Sequence, residues 1–259
     1  MAFALITGAS GGIGWSIAKE LASRKHNLLL IARSGSTLNK HVDDLKSSYG
    51  IQADCLALDL SAANSAIQVK QWLDSKGYAI DILINNAGYG SWGTVATLDR
   101  EQLNNMMQLN MITLADLCKV LLPYLQQQPR SYIMNVGSTA AYQAVPTLAS
   151  YAATKAFVLL FSRGLRLELL GSGTTVSCLS PGATSTGFID RANMGVLKER
   201  SEKFSMPADA VARIGVNGMF AGKAEIIPGF VNWISVMLVG LLPKALPEKI
   251  AAGLYKTDK

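Results

Sequence analysis

The chain has 259 residues, 49% of them hydrophobic and 16% charged, which supplies one large core and is too apolar for a disordered chain. Its formal charge of +6 is scattered over positions such as Lys19, Arg33, Lys70, Arg130 and Arg213. A nucleic-acid binder would gather that charge in a stripe or tail, so a local anion site is the better use for it.

Along the chain, short apolar runs alternate with longer amphipathic segments. Residues 3–7 are expected as a first strand that runs into a glycine-rich turn, and 13–24 as a helix with Ile17, Ala18, Leu21 and Ala22 on one face. Further strands are expected at 27–32, 55–58, 80–85, 131–136 and 175–179. The helices between them fall at 37–48, 61–75, 100–127 and 150–170, the third of these kinked or ended early by Pro123. This alternation predicts an α/β fold, a doubly wound parallel sheet of Rossmann type with helices on both faces. No Pro- or Ser-rich linker divides it, so residues 1–224 are expected as one catalytic and cofactor-binding domain.

Residues 225–259 form an apolar C-terminal extension, expected to pack on the same domain or at an interface. Within it, 226–242 carries no charge. Pro228 and Gly229 shorten the usable helix to 230–242, below the roughly 17–25 apolar residues of a membrane span. A core, pocket-lid or subunit-contact helix suits this length, and so does one lying on a membrane surface. Cys55, Cys118 and Cys178 are odd in number and widely separated, and His26 and His41 lack ligand-type neighbours, so no disulfide framework or metal site is expected. With no basic n-region and too short an apolar start for a signal peptide, the expected location is cytoplasmic, peripheral to a membrane if the tail meets lipid.

The first strand opens on Gly8-Ala9-Ser10-Gly11-Gly12-Ile13-Gly14. Glycines permit a tight turn and let backbone N–H groups approach phosphate oxygens, while the following helix N-terminus favours negative charge. That is a site for a dinucleotide pyrophosphate. An NAD site usually places a carboxylate at the end of the second strand, but no acidic residue lies between Glu20 and Asp43. Arg33 stands there instead, which suits the 2′-phosphate of NADP.

Tyr151-Ala152-Ala153-Thr154-Lys155 places a phenol and an ammonium one helical turn apart. A nearby ammonium, with an oxidised nicotinamide cation, favours phenolate and lets the tyrosine exchange a proton with a substrate oxygen. Ser138 follows the fifth strand, Asn85-Asn86-Ala87-Gly88 the fourth, and Pro181-Gly182 the sixth, all at the rim where open parallel sheets bind ligands. Asn110 lies inside the long expected helix, where asparagine is mildly unfavourable.

Over residues 3–190 these motifs resemble the short-chain dehydrogenase/reductase superfamily, in its single-domain branch. The resemblance rests on Thr7-Gly8-x-x-x-Gly12-x-Gly14, Asp59-Leu60, Asn85-Asn86-Ala87-Gly88, Asn110, Ser138, Tyr151-x-x-x-Lys155 and Pro181-Gly182. It implies that Tyr151 is the acid/base, that Lys155 lowers its pKa and holds the nicotinamide ribose, and that Ser138 orients the carbonyl. It further implies a proton-relay water at Asn110, adenine contacts from Asp59 and Leu60, and carboxamide and phosphate contacts from Thr184 and Thr186. Gly8, Ser10, Gly12, Ile13, Gly14, Asn86, Ala87, Gly88, Pro181 and Gly182 complete the expected cofactor set.

The chain is similar to bacterial members of broad substrate range and to relatives of long-chain 3-ketoacyl reductases. Its tail lacks the strand and Asp-Gly-Gly turn of the acyl-carrier-protein reductases. Phe188, Ile189, Met194, Val196, Leu197, Phe204 and Met206, with Trp92, are expected to form an apolar pocket wall or plain core. The resulting expectation is an NADP-dependent, homo-oligomeric oxidoreductase of apolar ketones, aldehydes or secondary alcohols. A non-catalytic NADP-binding module acting through protein partners, and an epimerase or dehydratase on the same scaffold, remain open.

Overall fold

The computed structural model describes residues 2–186 and 205–254. Its strands are β1 (Phe3–Thr7), β2 (Asn27–Ala32), β3 (Ala53–Ala57), β4 (Ile80–Asn85), β5 (Ser131–Val136), β6 (Thr174–Leu179), the short pair β7 (Thr184–Ser185) and β8 (Met206–Pro207), and β9 (Glu225–Ile226). The helices are α1 (Gly12–Ser23), α2 (Gly35–Tyr49), α3 (Ser65–Lys76), α4 (Arg100–Met107), α5 (Leu114–Gln126), α6 (Ala149–Glu168), α7 (Ala208–Phe220), α8 (Phe230–Leu241) and α9 (Ala245–Leu254). Seven strands form one sheet in the order β3-β2-β1-β4-β5-β6-β9, and every pairing in it is parallel. This is the expected doubly wound sheet.

The strands are apolar on both sides because both faces are covered. On one face Ala4, Ile6, Leu28 and Leu30 pack against α1, α2 and α7. On the other, Leu5, Leu29, Leu83 and Ile133 pack against α3, α5 and α6. The chain winds outward from β1 through β2 and β3, then returns to β4 on the opposite side of β1. The strand order reverses there, which opens a crevice at the carboxyl ends of β1 and β4.

Four expectations shift. The expected helix 100–127 is interrupted by one wide helical turn at Gln108–Thr113, not by Pro123. Pro123 lies on the exposed side of α5, which continues through it to Gln126. The wide turn instead carries Asn110, whose side chain bonds two neighbouring segments. The helix expected from 61 begins at Ser65, because Asp59 Oδ1 accepts from Ser61 N at 2.9 Å and from Ser61 Oγ at 2.7 Å, which holds a turn there. The strand expected at 55–58 is Ala53–Ala57, since its register follows β2, with Ala53 opposite Leu28. Finally, the sheet has a seventh strand, Glu225–Ile226, just past residue 224; Ser180 N donates to Ile226 O at 2.8 Å.

Candidate active site

At the end of β1, Gly8 (φ +66°) and Gly12 (φ +55°) adopt left-handed conformations that side chains resist. A Cβ on Gly14 would stand 2.4 Å from Gly8 O, so glycine is required there for the turn to lie against α1. Around Gly11 the corresponding space is open. No side chain caps α1, and its first turn holds no acidic residue. The first-turn N–H groups therefore face a cradle suited to an anion.

Thr7 joins this turn to the end of β4. Its Oγ1 accepts from the Asn86 and Ala87 N–H groups, both at 3.0 Å. The Asn86 side chain returns two bonds, donating to Thr7 O at 3.0 Å and Gly8 O at 3.1 Å. The two strand ends across the crevice are thereby fixed to each other, and a cleft of about 990 Å³ opens above them.

Of the expected residues, Gly8, Ser10, Gly12, Ile13, Arg33, Asp59 and Leu60 line one end of the cleft, and Asn86, Ala87 and Gly88 its middle. Ser138, Tyr151, Lys155, Pro181, Gly182, Thr184 and Thr186 line the remainder. Arg33 is exposed, with no hydrogen bond or ion pair to another described residue. Asp59 has its carboxyl held below the usual range, first by the Ser61 hydroxyl and N–H, with a smaller contribution from Arg33.

Two expected residues stand off the wall. Gly14 is buried in α1 behind the turn. Asn110 is 1% exposed, and its side chain is fully engaged. Nδ2 donates to Tyr89 O at 2.9 Å and Thr154 Oγ1 at 3.0 Å, while Oδ1 accepts from Tyr89 N at 3.2 Å. It ties the loop after β4 to α6 and holds Gly88 close to Lys155: a Cβ on Gly88 would lie 2.9 Å from Asn110 Oδ1 and 3.5 Å from Lys155 Nζ.

Ser138 begins a short helical turn (Thr139–Tyr142), its Oγ accepting from Ala140 N at 3.1 Å. The same hydroxyl hydrogen-bonds the Tyr151 phenol, which pulls the phenol pKa down, but burial is the larger effect and raises it to about 12. Burial also lowers Lys155 to about 8. Lys155 Nζ donates to Val136 O at 2.8 Å and lies 5.8 Å from the centre of the Tyr151 ring.

Trp92 and Met206 are not on the cleft wall. Trp92 packs behind it, against the cluster containing Val145, Leu148 and Tyr151, and Met206 packs against the sheet core. Phe188, Ile189, Met194, Val196, Leu197 and Phe204 lie outside the described residues. Among the described residues, the apolar part of the wall comes from Val145, Leu148, Val236 and Val239, edged by Tyr142, Gln143, Asn232 and Ser235. Sequence reasoning assigned no role to the two polar residues of the apolar tail, although Asn232 and Ser235 stood out against uncharged, largely aliphatic neighbours. Tyr142 donates to Glu225 Oε2 at 3.1 Å and so joins the wall to β9.

A parallel sheet with an uncapped glycine cradle at its strand-order reversal, beside a half-buried serine and a buried Tyr–Lys pair, defines a dinucleotide-dependent oxidoreductase. Residues 2–195 match the short chain dehydrogenase family, and the chain belongs to the short-chain dehydrogenase/reductase family. It is 32% identical over 183 residues to very-long-chain 3-oxoacyl-CoA reductase-A of Danio rerio, covering 69% of this chain and 57% of that protein. A short-chain dehydrogenase from Sphingobium yanoikuyae in complex with NADPH superposes with a TM-score of 0.82 at 30% identity, covering 95% of this chain and 98% of the other. The bulky-bulky ketone specific alcohol dehydrogenase from Comamonas testosteroni gives 0.77 at 27% identity, covering 93% and 92%. The protein is accordingly a nicotinamide-dependent oxidoreductase of carbonyl and alcohol substrates.

Proposed function

We propose that the protein reduces apolar ketones or aldehydes, or oxidises the matching alcohols, with NADP(H). One observation carries this reading. A single cleft holds the uncapped α1 N-terminus and exposed Arg33 at one end, and half-buried Ser138 with buried Tyr151 and Lys155 at the other. The first group suits a pyrophosphate and a 2′-phosphate. NADPH in the Sphingobium relative supports the choice of cofactor. The second group suits proton exchange at a substrate oxygen, and the valine-lined wall favours apolar substituents.

When bound, the nicotinamide cofactor supplies or takes the hydride at the substrate carbon. The Ser138 hydroxyl orients the carbonyl oxygen toward Tyr151. Tyr151, held neutral by burial, donates its phenolic proton to that oxygen as charge develops there. Burial keeps the phenol protonated, and the Ser138 hydrogen bond acts against that rise, toward the range in which a phenol releases its proton. In the oxidation direction the phenol has to lose its proton first, and the Lys155 ammonium together with an oxidised nicotinamide cation would favour that loss. Lys155 also lies beside Gly88, placed to hold a ribose hydroxyl. Asn110 acts as a positioning residue, fixing the Gly88–Tyr89 backbone against α6.

The test is NADPH absorbance with the purified chain and a panel of ketones graded from polar to apolar. Ketone-dependent loss of absorbance, fastest with apolar members and slower with NADH, is expected. No substrate-dependent loss with any carbonyl would contradict the reading.

A further inference from the structure

We propose that the outer face of α8, continued by α9, docks the protein on an anionic phospholipid surface. The motive is a helix with inverted polarity. Asn232 and Ser235, the polar residues of α8, turn with Val236 and Val239 toward the cleft. Asn232 Nδ2 donates to Pro228 O at 2.8 Å and its side chain fills the space over Gly182, where a Cβ would come within 2.6 Å of Oδ1.

The opposite side presents Phe230, Val231, Trp233, Met237, Leu238 and Leu241 to solvent, with Phe230 at 74% and Leu241 at 82% exposure. Residues three and four apart in a helix share a face, so Phe230, Trp233, Met237 and Leu241 form one stripe. Leu246 and Ile250, one turn apart on the helix that follows, are 47% and 56% exposed. An exposed apolar stripe of this kind marks a contact site.

Charge and length select the occupant. No acidic residue lies between Ile226 and Pro247, and residues 226–259 contain Lys244, Lys249, Lys256 and Lys259 against Glu248 and Asp258, in a chain of net charge +6. Lys244 and Lys249 are exposed at the edge of the apolar stripe, where they can meet lipid phosphates while the aromatic and aliphatic groups enter the headgroup boundary. A second copy paired through this face would bring the same cationic segments together, with Glu248 against Lys244 and Lys249 in each described segment. The helix has 12 residues, about 18 Å, and no described helix is long and apolar enough to cross a membrane, so α8 lies in the surface plane. Its inner side is part of the cleft wall, so docking sets the cleft beside the lipid. That consequence, delivery of lipid-borne carbonyl substrates, rests on the function proposed above.

The experiment is co-sedimentation of the full-length chain with mixed phosphatidylcholine–phosphatidylglycerol vesicles, with pure phosphatidylcholine vesicles, and with the mixed vesicles at raised salt. Pelleting with the mixed vesicles is expected, reduced with pure phosphatidylcholine and at raised salt. A Phe230→Ser, Leu241→Ser double variant, changed only at exposed positions, is expected to lose pelleting about tenfold or more while keeping wild-type turnover of a water-soluble ketone. Wild-type protein that stays in the supernatant, or a double variant that pellets equally well, overturns the proposal. So does a dimer in sedimentation equilibrium that Leu241→Asp dissociates, with no vesicle binding, which would assign the face to a second copy. Pelleting is read without turnover, so failure of the enzymatic reading and failure of this one are separate results.

Discussion

Burial acts on Tyr151 and Lys155 in the same sense, disfavouring the charged form of each. For Lys155 this has a measurable cost in the cofactor-free protein. Its folded value of about 8 lies below the ordinary value for lysine, so between those values the unfolded chain binds more protons and stability rises with pH. Lys155→Met removes this dependence. Chemical denaturation at neutral pH and near pH 10 should show the wild type gaining stability on the variant as pH rises from about 8; a constant difference would mean that the ammonium is not penalised by burial. At the other end of the cleft, Arg33→Ala removes a charge-assisted phosphate contact. It should weaken NADPH by about 1.5–3 kcal/mol and leave NADH nearly unchanged, as read by titration calorimetry. Equal losses for both cofactors would place Arg33 away from the 2′-phosphate.

At the scale of elements, the glycine turn and α1 depend on a close approach of backbone to backbone. Gly14→Ala puts a methyl group 2.4 Å from Gly8 O, a contact that no side-chain rotation relieves. It should cost about 1–3 kcal/mol by overpacking and weaken either cofactor alike, measured by thermal unfolding and cofactor titration. Unchanged stability would mean that the turn is looser than described. The sequence made the strongest elements legible: β1 and β2 match their expected bounds, because the continuous apolar runs ending at Ile6 and Ala32 have one reading in a doubly wound sheet. The two-residue β9 carried no periodicity and fell into the tail. The wide turn at Gln108–Thr113 was invisible as well, since its cause is tertiary: Asn110 reaches Tyr89 and Thr154, 21 and 44 residues away. Motif residues at strand ends could be named from the sequence because the fold brings all strand ends to one rim. The substrate side could not, because Val145, Asn232 and Ser235 come from a loop and a helix whose docking no local pattern encodes.

Taken whole, the molecule places its two chemistries on one rim and its least polar surface next to them. The sheet fixes the cradle of α1 about the crevice between β1 and β4, α6 delivers Tyr151 and Lys155 to the same cleft, and α8 closes the far wall. Proton exchange with the substrate rests on the Tyr151 hydroxyl. Tyr151→Phe keeps the ring and the cofactor site and removes the hydroxyl alone. The direct measurement is the pH–rate profile of ketone reduction by NADPH for wild type and Tyr151→Phe, with NADPH affinity determined in parallel. Turnover of the variant should fall by about 10²–10⁴-fold at unchanged NADPH affinity. Near-wild-type turnover with the same profile would show that another group carries the proton.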